Sequence, residues 1–197
     1  VDKTSGQSEN VTGVSDAAPI EKQLKLIQEI LPNVKRIGMM YTLSEINGKI
    51  QVEQAKTIAA SLGIEVVDAG VSTDSEVVTV AGQLVQKVDC IYNITDNMIV
   101  ANTATIVDQA NKVKIPVFAA EDGQLDQGLL ATDSLSYVDM GTEAGNLAIS
   151  ILKDGKSAQS LPVVFSQATK LYVNSKVAAS LGLTLPESVL SRAQLVD

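Results

Sequence analysis

The chain has 197 residues, 45% of them hydrophobic, and its 15 Lys and Arg against 23 Asp and Glu give a net charge of −8. This length and composition predict one domain, or one domain with part of a second, that buries a substantial core. The negative charge argues against a nucleic-acid-binding protein, because neutralising phosphates requires clustered Lys and Arg. The chain has no histidine, which excludes His-based acid–base catalysis, Ser-His-Asp and Cys-His nucleophiles and His metal ligands. The single cysteine, Cys90, cannot form a disulfide within the chain and is expected to be a buried, inert thiol.

Neither a membrane span nor a signal peptide is visible in the sequence. The longest strongly apolar stretches are about eight residues, whereas a transmembrane helix requires ~20. Residues 1–10 form a polar run without the apolar segment of a signal peptide. A mature form would have lost such a segment, so composition alone leaves the compartment open.

The first two thirds of the chain alternate between periodic helical segments and short apolar runs. After a loop and strand over residues 1–17, periodic apolar residues predict a helix over residues 18–31, which Pro32 ends. Four strands are predicted next, over residues 36–41, 64–69, 89–94 and 115–119. The helices between them are predicted over residues 44–62 with Ser44 as the cap, over residues 73–87 with a capping box, and over residues 97–111.

This alternation is typical of βαβ units, so the sequence predicts an α/β fold: an open, mainly parallel sheet with helices on both faces. We expect four or five strands within residues 35–136. After Gly128 the pattern changes and is no longer a βα repeat. The tail is predicted as a strand or extended crossing over residues 129–137, a helix over 138–153, short strands at 163–165 and 171–173, and helical pieces over 175–181 and 187–192.

Candidate ligand-binding residues follow the predicted strands. Ligands of open parallel sheets bind beyond the carboxyl ends of the strands. In this sequence those positions are small polar loops that lead into helices, at residues 42–47, 71–73, 95–97 and 121–123. Helix N-termini favour a carboxylate, and acidic loop residues could receive an ammonium group, so the loops suit a zwitterion such as an amino acid. We expect Glu45, Thr95, Asp96 and Asp122 to lie along one edge of the sheet and to be partly open.

A purely structural explanation stays open for part of this pattern. Ser, Thr, Asp and Asn are preferred helix N-caps, so Ser44, Thr73 and Asp96 would also occur in a scaffold without a ligand. The run Thr95-Asp96-Asn97 has more polar groups than a cap needs, so a functional role is open there. Acidic turns such as Glu121-Asp122-Gly123 are also common on plain surfaces.

Motifs for cofactors and nucleophiles are missing from the sequence. No G-x-G-x-x-G follows the strand that contains Gly38, and there is no Walker A sequence. The acidic trio of a phosphorelay receiver is also absent, since Lys35-Arg36 opens the first strand and no acidic pair follows it. No nucleophile–base constellation supports catalysis. Binding, without a cofactor or a metal, is therefore the favoured function.

Several segments resemble, in their order and spacing, a family of ABC-transporter solute-binding proteins that includes tryptophan- and tyrosine-type binding components. The matching segments are NVTGVSD (10–16), LIQEILPNVKRIG (26–38), SEIN (44–47), YNITDN (92–97), KIPVFA (114–119) and LGLTLP (181–186). The resemblance covers about residues 10–195. No single one of these motifs is specific to the family, whereas their order and spacing are.

The resemblance implies the type I periplasmic-binding-protein fold, in which two α/β lobes close on a ligand. The first lobe would be missing: residues 1–17 would be the crossover from it, 18–137 the second lobe, and 138–197 a tail that partly returns to it. The cleft-facing positions that the resemblance implies are Ser44, Glu45, Asn47, Thr95, Asp96, Asn97, Glu121, Asp122 and Tyr137. For Tyr137 the residues alone favour a core role.

As function, the resemblance implies a binding protein rather than an enzyme. It would bind a small molecule, with amino acids, aromatic ones included, as the expected class, and deliver it to an ABC permease in the membrane. Its location would be extracytoplasmic, as a periplasmic protein or a cell-surface lipoprotein. A Rossmann- or flavodoxin-like enzyme with an unrecognised cofactor site stays open as the alternative.

The tail adds an expectation about assembly. Its apolar residues would lie bare if the first lobe is missing, and large bare apolar patches are rare on stable monomers. The residues concerned are Val138, Leu147, Ile151, Leu152, Val163, Val164, Leu171 and Val173. The tail must therefore either fold back onto its own sheet or be exchanged with another copy, and we expect a homodimer in which tail segments of two copies meet.

Overall fold

A computed structural model describes residues 10–166 and 169–196 of the chain. The predicted crossover segment 1–17 and the predicted tail 138–197 therefore lie partly outside the described residues. The chain divides into two compact units. The first unit comprises described residues within Val1–Ala17 and Leu135–Thr169, and the second comprises those within Ala18–Ser134 and Lys170–Asp197.

Helices and strands follow one another in an order close to the predicted one. The strands are β1 (Val14–Ser15), β2 (Arg36–Thr42), β3 (Glu65–Val71), β4 (Cys90–Asn93), β5 (Val117–Ala119), β6 (Ala131–Leu135), β7 (Val164–Phe165), β8 (Thr169–Asn174) and β9 (Gln194–Val196). The α-helices are α1 (Ile20–Ile30), α2 (Ile46–Ser61), α3 (Asp74–Leu84), α4 (Asn97–Ala101), α5 (Thr103–Val113), α6 (Tyr137–Leu152), α7 (Ser175–Ser180) and α8 (Glu187–Leu190). Short 3-10 helices cover Asp122–Gln127 and Ala158–Ser160.

The main sheet has the strand order β3-β2-β4-β5-β6-β8-β9. The pairs β2–β3, β2–β4, β4–β5, β5–β6 and β8–β9 are parallel. The amide of Asn174, at the end of β8, donates to the carbonyl of Leu130, just before β6, so β8 runs opposite to β6. The prediction of an open, mainly parallel α/β sheet is confirmed, with five strands within residues 35–136.

Helices cover both faces of this sheet, as predicted. One apolar cluster joins α1 and α2 to the sheet and includes Leu24, Ile27 and Ala55, each with no exposed surface. The other cluster joins α3 and α5 to the opposite face and includes Val77 and Ile106. Burial on two faces explains why the strands read as short, nearly continuous apolar runs rather than alternating ones.

Three local predictions about helices are wrong. Helix α2 begins after Glu45, and Ser44 is an exposed residue before the cap. The capping box at α3 is only partial: the carboxylate of Glu76 accepts from the amide of Ser72 (2.7 Å), while the side chain of Thr73 caps nothing. The helix predicted over residues 97–111 is divided into α4 and α5 at Asn102, which leaves helical geometry with φ −105° and ψ 15°.

The tail divides between the two units. Leu171 is 6% exposed and Val173 is fully buried, because β8 extends the main sheet beside β6 and β9 extends it further. These two side chains are thus covered by the main sheet of the same chain, and the homodimer through other tail segments stays a prediction. In the first unit, β1 and β7 form a two-stranded parallel sheet, and α6 has only Met140 buried. Whether these segments leave and re-enter another lobe stays a prediction.

Among the described residues, no helix combines the length and the apolar character needed to cross a bilayer.

The close packing of the main sheet generates a stability prediction at Gly38 in β2. A Cβ added there would lie 2.6 Å from Cδ1 of Ile91 and 3.1 Å from Leu84, both buried. We expect Gly38→Ala to lower the free energy of unfolding by about 1–3 kcal/mol through overpacking. Urea denaturation checks this.

The control is Gly82→Ala in α3, where the new Cβ would meet only the flexible side chain of Gln109 at 3.3 Å. Helix propensity makes that change neutral or stabilising by up to ~1 kcal/mol. Equal effects of the two substitutions would contradict the packing described for β2.

Candidate functional site

The candidate site lies at the edge of the main sheet where β2, β4 and β5 end. These strands are linked by parallel pairing, with Gly38 opposite Ile91 and Asn93 opposite Ala119. Their following loops therefore leave at the same edge, as predicted. All of the loop residues proposed from the sequence, apart from Tyr137, belong to the second unit.

Asp96 joins the end of β2 to the start of α4. Its carboxylate accepts from the amide of Thr42 (2.7 Å), from the Thr42 hydroxyl (2.6 Å) and from the amide of Ile99 (3.2 Å). Only 1% of the residue is exposed. The expectation that Asp96 is partly open is therefore wrong: burial of a charged carboxylate requires such partners, and these hydrogen bonds occupy it.

Glu45 and Asn97 connect the same two loops at a more open position. The side-chain amide of Asn97 donates to both carboxylate oxygens of Glu45, at 3.1 and 3.3 Å. Glu45 is half-buried and Asn97 is exposed. Since exposed polar contacts of this kind contribute little to stability, a ligand could replace one partner at small cost.

Asn47, Gln51 and Thr95 form a second connection between these loops. The side-chain amides of Asn47 and Gln51 donate to the carbonyl of Thr95, at 3.0 and 3.2 Å. The Thr95 hydroxyl donates to Oε1 of Gln51 at 2.9 Å. Thr95 is half-buried and Asn47 is exposed, so both stay within reach of solvent.

The loop after β5 is shaped by Glu121. Its carboxylate accepts from the amide of Gly123 (2.7 Å) and from the side chain of Gln124 (2.7 Å). Glu121 is thereby the N-cap of the 3-10 helix over Asp122–Gln127. Asp122 is half-buried, and among the described residues its carboxylate has no hydrogen-bond partner. Of these two acidic residues, only Glu121 therefore uses its carboxylate to shape the loop.

A buried polar chain beneath this loop was missed by the sequence analysis. The side-chain amide of Asn93 donates to the Thr103 hydroxyl and to Oε1 of Gln124, both at 3.2 Å, and the Thr103 hydroxyl also contacts Gln124 at 2.6 Å. All three residues are fully buried. Oδ1 of Asn93 and Oγ1 of Thr132 are buried without a partner in the described part of the chain. The only sign of it in the sequence was weak: one polar residue, Asn93, at the end of an otherwise apolar predicted strand.

Gln23 and Asp133 form another polar contact that the sequence analysis missed. The side-chain amide of Gln23 donates to the carbonyls of Ala120 (2.8 Å) and Asp133 (3.2 Å), and its oxygen accepts from the Tyr92 hydroxyl. Gln23 is 2% exposed and Asp133 is 7% exposed. The available signal was an acidic residue in the middle of the predicted strand 129–137.

Tyr137 belongs to the first unit, where it begins α6 and is 53% exposed. Its predicted core role is therefore wrong. Its predicted ligand contact stays a prediction, because the other candidates lie in the second unit.

The two buried ionisable groups of β4, the Cys90 thiol and the Tyr92 hydroxyl, stay protonated. Burial raises the pKa of the Cys90 thiol, with a smaller contribution from Asp89, and burial also raises the pKa of the Tyr92 hydroxyl. Both groups are therefore neutral over the ordinary pH range. Among the described residues, no group of three His, Cys, Asp or Glu side chains could hold a metal ion.

Comparisons with known proteins point to one family. The sequence model described as "ABC transporter substrate binding protein" matches residues 1–197. A tyrosine-binding protein of Clostridioides difficile (strain R20291) is 39% identical over 174 residues, which cover 88% of this chain and 50% of that protein.

Solved structures agree with this match. A domain from Streptococcus pneumonia in complex with L-Trp has a TM-score of 0.85 at 34% identity, covering 95% of this chain and 63% of that one. The ligand-free, open structure of a Clostridium difficile substrate-binding protein with adhesive properties has a TM-score of 0.79 at 35% identity, covering 95% and 62%. This chain therefore spans half to two thirds of the length of these relatives.

Asp96 generates a stability prediction. Asp96→Ala removes the N-cap of α4 and leaves the amide and hydroxyl of Thr42 buried without a partner. We expect the free energy of unfolding to fall by about 2–4 kcal/mol. Chemical denaturation of the 197-residue chain measures it.

Asp122→Ala is the matched control, because it removes one carboxylate from the same edge without removing a hydrogen bond. It should change the free energy of unfolding by less than ~0.5 kcal/mol. A small effect of Asp96→Ala would contradict the structural role given to that carboxylate.

Proposed function

This chain belongs to the ABC transporter substrate-binding protein family, and from that premise we propose that it binds an amino acid with an aromatic side chain at the edge where β2, β4 and β5 end. The observation that carries the proposal is the set of polar loop residues that parallel pairing brings to one edge of the sheet. The names of the relatives support the ligand class, since one is a tyrosine-binding protein and another was solved with L-Trp.

The chemistry of the edge suits a zwitterion. Half-buried Glu45 and Asp122 supply carboxylates for an ammonium group. Asn47 and Asn97 supply exposed amide donors for a carboxylate. Because these contacts are shared between neighbouring loops, a ligand can exchange one partner for another without opening the core.

We assign the ligand contacts to seven residues of the second unit and keep Tyr137 as a further candidate. The seven are Ser44, Glu45, Asn47, Thr95, Asn97, Glu121 and Asp122. Asp96 is assigned to holding the loops in place rather than to the ligand, because it is buried and its three accepted hydrogen bonds are internal. Glu121 also shapes its loop, but it is half-buried and stays within reach of a ligand.

The proposed role of the protein is delivery of this amino acid to an ABC permease in the membrane, from an extracytoplasmic location as a periplasmic protein or a cell-surface lipoprotein. Family membership supports this role, and the comparisons give no support to the Rossmann- or flavodoxin-like enzyme. A binding protein needs no catalytic constellation, which agrees with the absence of histidine from the chain.

Ligand titration followed by amide chemical shifts tests the proposal on the 197-residue chain. L-Tryptophan, L-tyrosine and L-phenylalanine should shift resonances of residues 44–47, 95–97 and 121–124, whereas L-glutamate should not. Asn97→Ala should weaken binding at least ~threefold, since it removes an amide donor at the edge. The matched control is Asn111→Ala, an exposed residue of α5 outside these loops. Aromatic amino acids that shift no resonances there at millimolar concentration would contradict the proposal.

We also propose that the 197-residue chain forms a homodimer through α6. Val138, Ile149 and Leu152 are 80%, 53% and 85% exposed, and their spacing of 11 and 3 residues places them on one helical face. Burying such a face contributes roughly 25 cal/mol per Å² of apolar area.

Sedimentation velocity over a range of concentrations tests the dimer. Leu152→Glu should shift the population to monomer because it places a charge in the apolar contact. Val78→Glu is the control, since Val78 is an exposed apolar residue of α3 in the other unit. A wild-type chain that remains monomeric at 100 µM would overturn this assembly.

A further inference from the structure

Two buried polar atoms beneath the loop after β5 have no hydrogen-bond partner in the described part of the chain, Oδ1 of Asn93 and Oγ1 of Thr132. The two residues are closed to solvent, with 0% and 1% of their surface exposed. A buried carbonyl oxygen or hydroxyl without a partner is costly, so such atoms in proteins are normally paired with a protein group or an ordered water. A partner from outside the described residues is therefore required here.

The two atoms belong to side chains on the same face of the main sheet. Asn93 in β4 pairs with Ala119 in β5. Phe118 pairs with Ala131, so the next residues, Ala119 and Thr132, also lie side by side. Paired positions of neighbouring strands point to the same face, so Asn93, Ala119 and Thr132 form one row across three strands. This row lies on the face that α3 and α5 cover.

The middle of this row is occupied by a methyl group only. Neighbouring strands are about 4.8 Å apart, so the backbones of Asn93 and Thr132 are separated by roughly twice that distance. Two oxygen atoms bridged by one water lie about 5–6 Å apart. Two side chains on either side of Ala119 reach this separation when both lean over its methyl group, which makes the row suitable for one small polar molecule.

A chain of hydrogen bonds that begins at Glu121 fixes the orientation of the Asn93 amide. A carboxylate only accepts, so the amide nitrogen of Gln124 faces Glu121, at 2.7 Å. The oxygen of Gln124 therefore accepts from the Asn93 amide (3.2 Å) and from the Thr103 hydroxyl (2.6 Å). Exchanging the nitrogen and oxygen of Asn93 would bring two oxygen atoms face to face. Oδ1 of Asn93 is thus an acceptor that still needs a donor.

We propose that one ordered water molecule is bound between Asn93 and Thr132, where it donates to Oδ1 of Asn93 and shares a hydrogen bond with the Thr132 hydroxyl. Buried waters occupy polar sites of this kind and need at least two polar partners, which this row supplies. The water extends the hydrogen-bond chain from Glu121 through Gln124 to β6. It thereby ties the loop after β5 to the strands on both sides of β5.

A crystal structure of the ligand-free 197-residue chain at 1.5 Å resolution or better tests the site directly. We expect an ordered water within about 2.6–3.2 Å of both Oδ1 of Asn93 and Oγ1 of Thr132. A direct hydrogen bond between the two side chains, a water that contacts only one of them, or no density between them would each overturn the inference.

Thr132→Val adds a test that depends on the sign of its effect. The substitution keeps the shape of the side chain and removes the hydroxyl. If the water is bound, it loses a partner, so the thermal midpoint should fall by about 2–4 °C. A hydroxyl buried without water would give the opposite sign, because a methyl group in its place removes an unsatisfied polar atom. An unchanged or raised midpoint would therefore overturn the inference.

Thr103→Val is the matched control, because the hydroxyl of Thr103 lies in the same cluster but has protein partners, the carbonyl of Val100 (3.0 Å) and the side chain of Gln124. It should lower the midpoint without removing the water. Oxygen-17 magnetic relaxation dispersion counts slowly exchanging buried waters. The count should fall by one in Thr132→Val and stay unchanged in Thr103→Val, and equal counts in wild type and Thr132→Val would contradict the proposed site.

Discussion

Parallel pairing of β2, β4, β5 and β6 is the constraint on which the site depends. Parallel strands require a crossover between them, and every crossover begins at the same edge of the sheet. The loops after β2, β4 and β5 therefore meet, although they are far apart in sequence: Thr42 and Asp96 are separated by 54 residues and still share two hydrogen bonds. The place of the proposed ligand site thus follows from strand direction before any single residue is considered.

The polar groups at this edge divide between holding the loops and remaining free. Asp96 and Glu121 accept hydrogen bonds from backbone amides and so shape the loops in which they lie. Asn97 and Glu45 pair at the surface, where either partner can be replaced. The backbone carbonyl of Asp133 accepts from the side-chain amide of Gln23. A rigid frame with a few replaceable polar contacts is what binding without large rearrangement requires.

Much of this fold was predictable from the sequence because its signals are local. The spacing of Leu24 and Ile27 predicted α1, and alternating helical and apolar segments predicted the parallel sheet. The errors have tertiary causes. At the break, the side chain of Asn102 donates to the carboxylate of Asp74 in α3, and no property of residues 97–111 reveals that contact. The partner strand of Val173 was not predicted, because its pairing with the distant segment of β9 leaves no trace in the local sequence pattern.

The sequence predicted where the candidate site lies in the sheet, but it did not predict what each of its side chains does. Strand ends identified the loops, whereas the side chain of Asp96 could not be assigned to a cap or to a ligand from sequence alone. Three-dimensional pairing decides this, since the same carboxylate would be open if Thr42 did not end the neighbouring strand. The polar contact at Asp133 was missed because this residue lies inside a strand, whereas the prediction considered only the loops that follow strands.

Charge at the edge narrows the class of ligand beyond what the fold does. The segments 42–47, 95–97, 120–128 and 131–135 contain five Asp or Glu side chains already described, together with Asp126, and no Lys or Arg. A nucleotide or other phosphate ligand would meet repulsion here, because nothing in these segments offsets its negative charge. A ligand with an ammonium group gains from the same field, and its carboxylate can be met by the neutral donors of Asn47 and Asn97. The electrostatics of this edge therefore favour an amino acid over the phosphate-bearing cofactors on which most enzymes of similar architecture rely.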